Sequence, residues 1–318
     1  MMISKWWLKN SDKKPNLNYN VMKKQFFYFL AIAFAMVSCK NVMFDDDSEK
    51  TSPVVDGPVK KFTFTVKGDF GAAQFKAPRR ANSSYLNEGD TNMTDLWVFD
   101  YMGGTLVQKI HQTADDDEWG RPKMSLPYGE HHVYFVASRG ADPSVDESGH
   151  VISWSTVRDT FWKDYEVNVV STSNGNRAVT LDRVATKLRI VIDDKVPDGL
   201  ASISVTPDRW YYGIDYMTGN SVSSQKKAVT VSVPESYIGT TGQLAVSVFG
   251  LSGAGEWTTN VGISASDGSG NDIGSASIVG APLKRNRATE YHGSLFGSEG
   301  AVDVSVSTDW EEGVTGTW

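Results

Sequence analysis

Five histidines could bind a metal ion or move a proton, and they are His111, His131, His132, His150 and His292. Zinc sites are recognised in sequences by short spacings such as H-x-x-x-H, and none of the five has such a spacing. His131 and His132 are adjacent, so on a strand their side chains would point to opposite faces. We therefore expect solvated or hydrogen-bonded strand histidines and no metal site.

Two acidic stretches could attract a hard cation such as Ca²⁺, which prefers clustered carboxylate oxygens. The first, residues 115–118, precedes Trp119-Gly120, and its position in a loop favours a solvated turn. The second, residues 267–272, begins like a calcium-binding loop, but Asp272 replaces the required glycine and Ile278 replaces the closing glutamate. The second stretch therefore predicts a hairpin turn.

Catalytic signatures are missing from the sequence, which has no G-x-S-x-G elbow, phosphate-binding loop, H-E-x-x-H or dinucleotide-binding motif. Paired carboxylates for sugar hydrolysis stay open, because the separation of Asp and Glu side chains in space is invisible in a sequence. On balance we predict a protein without a cofactor that is not an enzyme.

The single cysteine, Cys39, directly follows a segment typical of a secretory signal peptide. Met22-Lys23-Lys24 supplies positive charge, and the apolar run from Phe26 to Val37 is shorter than the about 20 residues that span a bilayer. A cysteine at this position predicts the acylated first residue of a bacterial lipoprotein, and the alternative is a buried free thiol. We expect residues 1–38 to be the leader, with the true start at Met22.

Residues 39–53 are expected to form an acidic, lipid-anchored tether. The run Asp45-Asp46-Asp47-Ser48-Glu49 favours a solvated segment, and it also resembles the signal that directs some lipoproteins to the outer face of the outer membrane. The net charge of −7 provides no basic field that would attract nucleic acid. We therefore expect a protein that the covalent lipid holds at the outer membrane, exposed at the cell surface.

The remaining chain has the two-residue periodicity of β-strands, and its length predicts about two domains. Phe62, Phe64 and Val66 alternate with polar residues, and Gly103-Gly104 predicts the turn of a β-hairpin. A polar stretch ending at residue 176 separates two sets of strands, so the sequence predicts an all-β protein of two tandem antiparallel β-sandwich domains, residues 54–176 and 177–318. The one plausible helical segment is Ser155–Lys163.

Aromatic residues in both halves could present flat faces for stacking on sugar rings. They are Trp154, Trp162, Trp210, Tyr211 and Tyr212. Packing within the core or between domains is the interpretation that we favour for them, because sandwich interiors need such side chains. A surface that binds glycans is the alternative.

Several motifs in the body resemble the fimbrillin superfamily, specifically lipoprotein anchor or accessory subunits of type V fimbriae. They are residues 94–100 with Gly103-Gly104, Tyr128-Gly129, and residues 181–188, 282–289 and 293–296. The resemblance implies transthyretin-like, Greek-key sandwich domains and assembly with other fimbrial subunits by strand donation, in which an extended segment of one subunit completes the sheet of another.

The resemblance also bears on Arg79-Arg80, because a trypsin-like protease activates stalk subunits of that family by removing their first strand. The two arginines follow the strand at Phe62–Val66 and are candidates for this cleavage, although an ordinary basic pair in a surface loop is an equal alternative. Cleavage would produce a polymerising stalk subunit, and an uncut chain would remain a lipid-linked anchor. We predict an anchor or accessory subunit, with a stalk subunit or a glycan-binding surface lipoprotein as alternatives.

Overall fold

A computed structural model describes residues 57–68, 86–87, 93–140 and 143–297, together with the backbone of 302–303 and 315–317. All of these residues belong to one compact unit, Pro53–Trp318. The leader, Cys39, Arg79 and Arg80 lie outside the described residues. No helix within the described ranges has the length and apolar character that crossing a membrane requires.

The described residues are almost entirely β-structure, which confirms the all-β prediction. In chain order the strands are β1 (Val59–Gly68), β2 (Asp95–Met102), β3 (Thr105–Thr113), β4 (Lys123–Pro127), β5 (Gly129–Ser138), β6 (Ser144–Asp146), β7 (Val151–Ser153), β8 (Thr160–Val169), β9 (Asn176–Arg183), β10 (Ala185–Ile192), β11 (Leu200–Pro207), β12 (Trp210–Asp215), β13 (Asn220–Gln225), β14 (Val229–Ser232), β15 (Leu244–Leu251), β16 (Trp257–Asp267), β17 (Asp272–Leu283), β18 (Ala288–Gly293), β19 (Val302–Asp303) and β20 (Thr315–Thr317).

The first sheet has the strand order β3-β2-β5-β8-β9-β1-β4. Phe62, Phe64 and Val66 of β1 are buried, as their alternation with polar residues predicts. The hairpin between β2 and β3 also has its predicted turn, in which Gly103 and Gly104 adopt φ values of +57° and +80°. Two consecutive positive φ values are typical of a type I′ turn, which matches the twist of the strands that it joins.

The other strands of the described chain form three further sheets. Their orders are β15-β10-β18-β19 with β20 beside β18, then β14-β11-β16-β17, and finally β13-β12-β7-β6. In the last sheet β7 pairs with β12, so strands from both halves of the chain share one sheet. The change from the first sheet to the second falls between Arg183 and Ala185. The division into domains 54–176 and 177–318 stays a prediction.

The predicted helix at Ser155–Lys163 is wrong. Residues from Thr160 onward belong to β8, which pairs with β5 along ten consecutive residues from Thr160 to Val169. Phe161 is fully buried in the first sheet's core. Long-range pairing and burial of this kind outweigh a weak local preference for helix. Within the described residues the helical element is a short 3-10 turn, Glu235–Tyr237.

Candidate functional site

The candidate functional site is the groove that β1 fills in the first sheet. β1 pairs in parallel with β9 along one edge and antiparallel with β4 along the other. Its inward side chains are almost completely covered, with exposures of 1% for Phe62, 0% for Phe64 and 4% for Val66. The strand is therefore held by backbone hydrogen bonds on both edges and by a row of buried side chains.

Phe64 is the central contact of this groove. Its ring meets Phe135 of β5 edge to face at 5.3 Å between centroids, and it meets Tyr165 of β8 in the same way at 5.8 Å. The backbone N–H of Phe64 donates to the Pro122 carbonyl at 3.0 Å, and that of Val66 donates to the Gly120 carbonyl at 3.0 Å. Removal of β1 would leave apolar surface uncovered and the edges of β4 and β9 unpaired.

A buried acid–base pair lies in the same sheet, close to the first residue of β1. The Nδ1 atom of His131 is 2.7 Å from a carboxylate oxygen of Asp100, and both side chains are fully buried. Nε2 of His131 donates to the Pro127 carbonyl at 2.9 Å, because a carbonyl oxygen can only accept. Pro127 is the register partner of Val59 in β1.

The electrostatics of this pair favour a charged histidine. Burial lowers the pKa of His131, but the hydrogen bond and the negative charge of Asp100, together with the Pro127 carbonyl, outweigh burial, so the pKa is raised. The second carboxylate oxygen of Asp100 has no hydrogen-bond partner among the described residues. Sequence reasoning missed Asp100. The sequence pattern could have identified it, because Asp100 lies two residues after Val98 and four after Leu96. On a strand this spacing places its side chain on the same face as theirs, toward the core of the first sheet.

The other four histidines lie on strands or turns, and all four are among the described residues. His132 points to the face opposite His131, as their adjacency predicts, and it is close to Asp164 at 3.1 Å. His111 stacks on Trp97 with ring centroids 3.9 Å apart. His292 lies between two carboxylates, and His150 occupies a turn with φ of +56°.

The acidic stretches serve as turns. β16 and β17 form the predicted hairpin, and the Asp267 carboxylate accepts hydrogen bonds from the N–H groups of Ser269 and Asn271 at 2.8 and 2.9 Å. Hydrogen bonds from Asn271 are the main reason that the pKa of Asp267 is lowered. In the other stretch, a hydrogen bond from Lys123 and the charge of that lysine lower the pKa of Glu118. Both observations agree with the solvated turns that the sequence predicts.

The aromatic residues are mostly core residues, which confirms the favoured interpretation. Trp154, Trp210 and Tyr212 are 3%, 0% and 3% exposed. The indole N–H of Trp210 donates to the Phe249 carbonyl at 2.8 Å, and that of Trp162 donates to the Tyr216 carbonyl at 2.7 Å. A sugar-stacking surface that uses Trp154 and Trp210 is therefore wrong, because no ring face is available to a ligand.

Replacing Trp210 by alanine is expected to lower the free energy of unfolding by about 3–5 kcal/mol, because the change empties a fully buried site. Urea denaturation measures this loss. Tyr128→Ala is the control, since Tyr128 is 36% exposed and its loss should change stability little. Equal stabilities of the Trp210→Ala protein and the unchanged protein would contradict this assignment.

No family model and no curated protein matches the sequence. Several solved structures are similar to it. The fimbrial anchor protein Mfa2 from Porphyromonas gingivalis is 12% identical, with 82% of this chain and 100% of that chain covered and a TM-score of 0.44. A candidate adhesin from Bacteroides ovatus is 11% identical, with 82% and 98% covered and a TM-score of 0.48.

A third similar structure is a candidate polysaccharide-binding protein from Bacteroides thetaiotaomicron, 9% identical, with 79% of this chain and 93% of that chain covered and a TM-score of 0.44. The similar structures thus include a fimbrial anchor, the kind of subunit that the sequence resemblance names, and candidate adhesins. All three TM-scores lie below 0.5, so we base no functional argument on them.

Proposed function

We propose that this protein is an anchor or accessory structural subunit of a fimbria, attached to the outer membrane through lipid on Cys39 and assembled with other subunits by β-strand complementation. The observation that carries the proposal is the position of β1. An N-terminal strand lies inside the first sheet, paired on both edges, and its side chains fill an apolar groove.

The physical basis of strand complementation is present in this groove. A donor strand of another subunit needs two unpaired strand edges for its backbone and a row of apolar pockets for every second side chain. The edges of β4 and β9 and the pockets of Phe62, Phe64 and Val66 meet both needs once β1 leaves. While β1 is in place the groove is full, and the subunit accepts no donor there.

An uncut anchor and an uncut stalk precursor would both hold β1 in this groove, and the lipoprotein leader with its acidic tether is what favours the anchor. Arg79 and Arg80 follow β1, so cleavage at this pair would separate Cys39 and β1 together from the rest of the protein. An uncut protein retains both its lipid and its own strand. The proposed anchor therefore ends a fibre at the membrane, and the proposed stalk form arises only after cleavage.

The lipid link and the cell-surface location rest on the sequence. Residues 22–38 have the features of a lipoprotein signal peptide, and the acidic residues 45–49 fit a solvated tether. Because each buried methylene contributes roughly 0.8 kcal/mol, the several acyl chains of a lipoprotein hold the protein on the membrane. The glycan-binding alternative is weakened, since Trp154, Trp210 and Tyr212 are buried and only Trp162 and Tyr211 are partly exposed.

Limited trypsin digestion tests the groove. Cleavage at Arg79 or Arg80 is expected to leave β1 bound only by noncovalent contacts, and a fluorescent peptide of residues 59–68 should replace it after brief exposure to urea. A peptide with Phe64→Ala should bind at least about a hundredfold more weakly, because loss of a buried phenylalanine costs about 3–5 kcal/mol. Fluorescence anisotropy measures both affinities.

A peptide with Lys67→Ala is the matched control, because Lys67 is an exposed residue of the same strand. It should bind as tightly as the unchanged peptide. Equal affinities of the Phe64→Ala and Lys67→Ala peptides, or no binding of any peptide to the digested protein, would contradict strand complementation at this groove.

A further inference from the structure

Three ionisable side chains meet on one face of the first sheet, away from the groove of β1. β5 and β8 are neighbouring antiparallel strands, and their register places His132 directly opposite Glu166. Asp164 is two residues before Glu166, so both carboxylates project from the same face of β8. One imidazole and two carboxylates are therefore brought together from two strands of fixed register.

The distances within this group suit a small divalent ion. Nδ1 of His132 lies 3.1 and 3.2 Å from the two carboxylate oxygens of Asp164. One ligand atom of each of the three residues lies within 4.8 Å of the others. Zinc bonds of about 2.0–2.2 Å require ligand atoms about 3.4 Å apart in a tetrahedron. The pair of His132 and Asp164 is already close to this spacing, and Glu166 lies within reach of it.

Tyr134 lies beside the group. Tyr134 follows His132 on the same face of β5 and is the register partner of Asp164. The residue as a whole is only 5% exposed.

The negative charge of this group has little compensation from the protein. Within the described chain no lysine or arginine forms an ion pair with Asp164 or Glu166. The neighbouring Lys163 projects to the other face and pairs with Asp182 at 2.9 Å. A divalent cation would supply the missing positive charge, and an imidazole among its ligands favours zinc over Ca²⁺, which prefers oxygen ligands.

Two other histidine–carboxylate groups show why this one differs. His111 contacts a single carboxylate, that of Asp95, at 2.8 Å. His292 has both ring nitrogens engaged, with Asp193 at 3.3 Å and Glu290 at 3.2 Å. In the described structure His132 contacts Asp164 through one nitrogen only, and a second carboxylate is within reach.

We propose that His132, Asp164 and Glu166 bind one zinc ion, with the Tyr134 hydroxyl beside it. The side chains of His132 and Asp164 are 49% and 26% exposed, so the remaining coordination positions are open to water. The spacing of these residues along the chain resembles no metal motif, since the site is created by the pairing of β5 with β8. This explains why the sequence predicted no metal site.

Isothermal titration of the full chain with ZnCl₂ tests the site. One equivalent of zinc should bind to the unchanged protein, and His132→Ala or Asp164→Asn should weaken that binding by at least about tenfold. Zinc should also raise the melting temperature of the unchanged protein and not that of these variants. CaCl₂ should give no binding at this position.

His111→Ala is the matched control, because His111 is another strand histidine paired with an aspartate. It should keep the full equivalent of zinc, and any zinc held by Cys39 is common to all the proteins compared. Equal zinc binding by the His132→Ala and unchanged proteins would overturn the site. So would equal losses in His132→Ala and His111→Ala, or calcium binding that His132→Ala abolishes.

Discussion

Replacing Cys39 by alanine is expected to abolish metabolic labelling with palmitate and to release the protein from the outer membrane. Cys39 is the only cysteine of the sequence, so no other thiol can accept the lipid. A single myristoyl chain gives only marginal membrane binding, whereas the several chains of a lipoprotein bind nearly permanently. Loss of all of them should therefore move the protein to the soluble fraction. Radiolabelling and membrane fractionation measure the two effects.

Ser48→Ala is the control for this experiment, because Ser48 lies in the proposed tether and carries no lipid in our proposal. It should remain labelled and membrane-bound. A Cys39→Ala protein that still carries palmitate, or that stays in the outer membrane in the same amount, would contradict the lipid anchor. The fold of the described residues would be unaffected by that result.

Breaking the buried pair of Asp100 and His131 should produce the largest loss of stability from a single polar residue. Asp100→Ala removes the partner that favours the charged form of the buried His131, and His131→Ala leaves a buried carboxylate. Removing one partner of such a pair costs about 3–5 kcal/mol, because the remaining charge is neither solvated nor paired. Urea denaturation of each variant measures the loss.

The double variant distinguishes a paired charge from simple loss of volume. When both side chains become alanine, no uncompensated charge remains, so the combined loss should be clearly smaller than the sum of the two single losses. His132→Ala is the matched control, because it is the neighbouring residue on the exposed face and its pairing with Asp164 should contribute less than about 1 kcal/mol in metal-free buffer. Additive losses for Asp100 and His131 would contradict the coupling.

The local features of the fold could be predicted from the sequence because each depends on neighbouring residues. The alternation of Phe62, Phe64 and Val66 with polar residues predicted the buried face of β1, and Gly103-Gly104 predicted a hairpin turn. The turn residues between Asp267 and Asp272 predicted a hairpin, which β16 and β17 form. Periodicity of two and turn chemistry are both short-range signals.

Features that depend on the pairing of distant strands could not be predicted. Ser155–Lys163 looked helical because its sequence contains no information about β5, with which its last four residues pair. Asp100 and His131 are 31 residues apart, and nothing but the register of β2 with β5 brings them together. The group of His132, Asp164 and Glu166 likewise exists only through the register of β5 with β8.

The central claim is that the mature protein keeps both its lipid and its first strand. Mass spectrometry of the N-terminal peptide, from protein extracted from the outer membrane of the organism that makes it, tests this most directly. Our account predicts a peptide that begins at acylated Cys39, in a chain that still contains β1, Val59–Gly68. A mature protein that begins at Ala81, or a Cys39 without lipid, would contradict it.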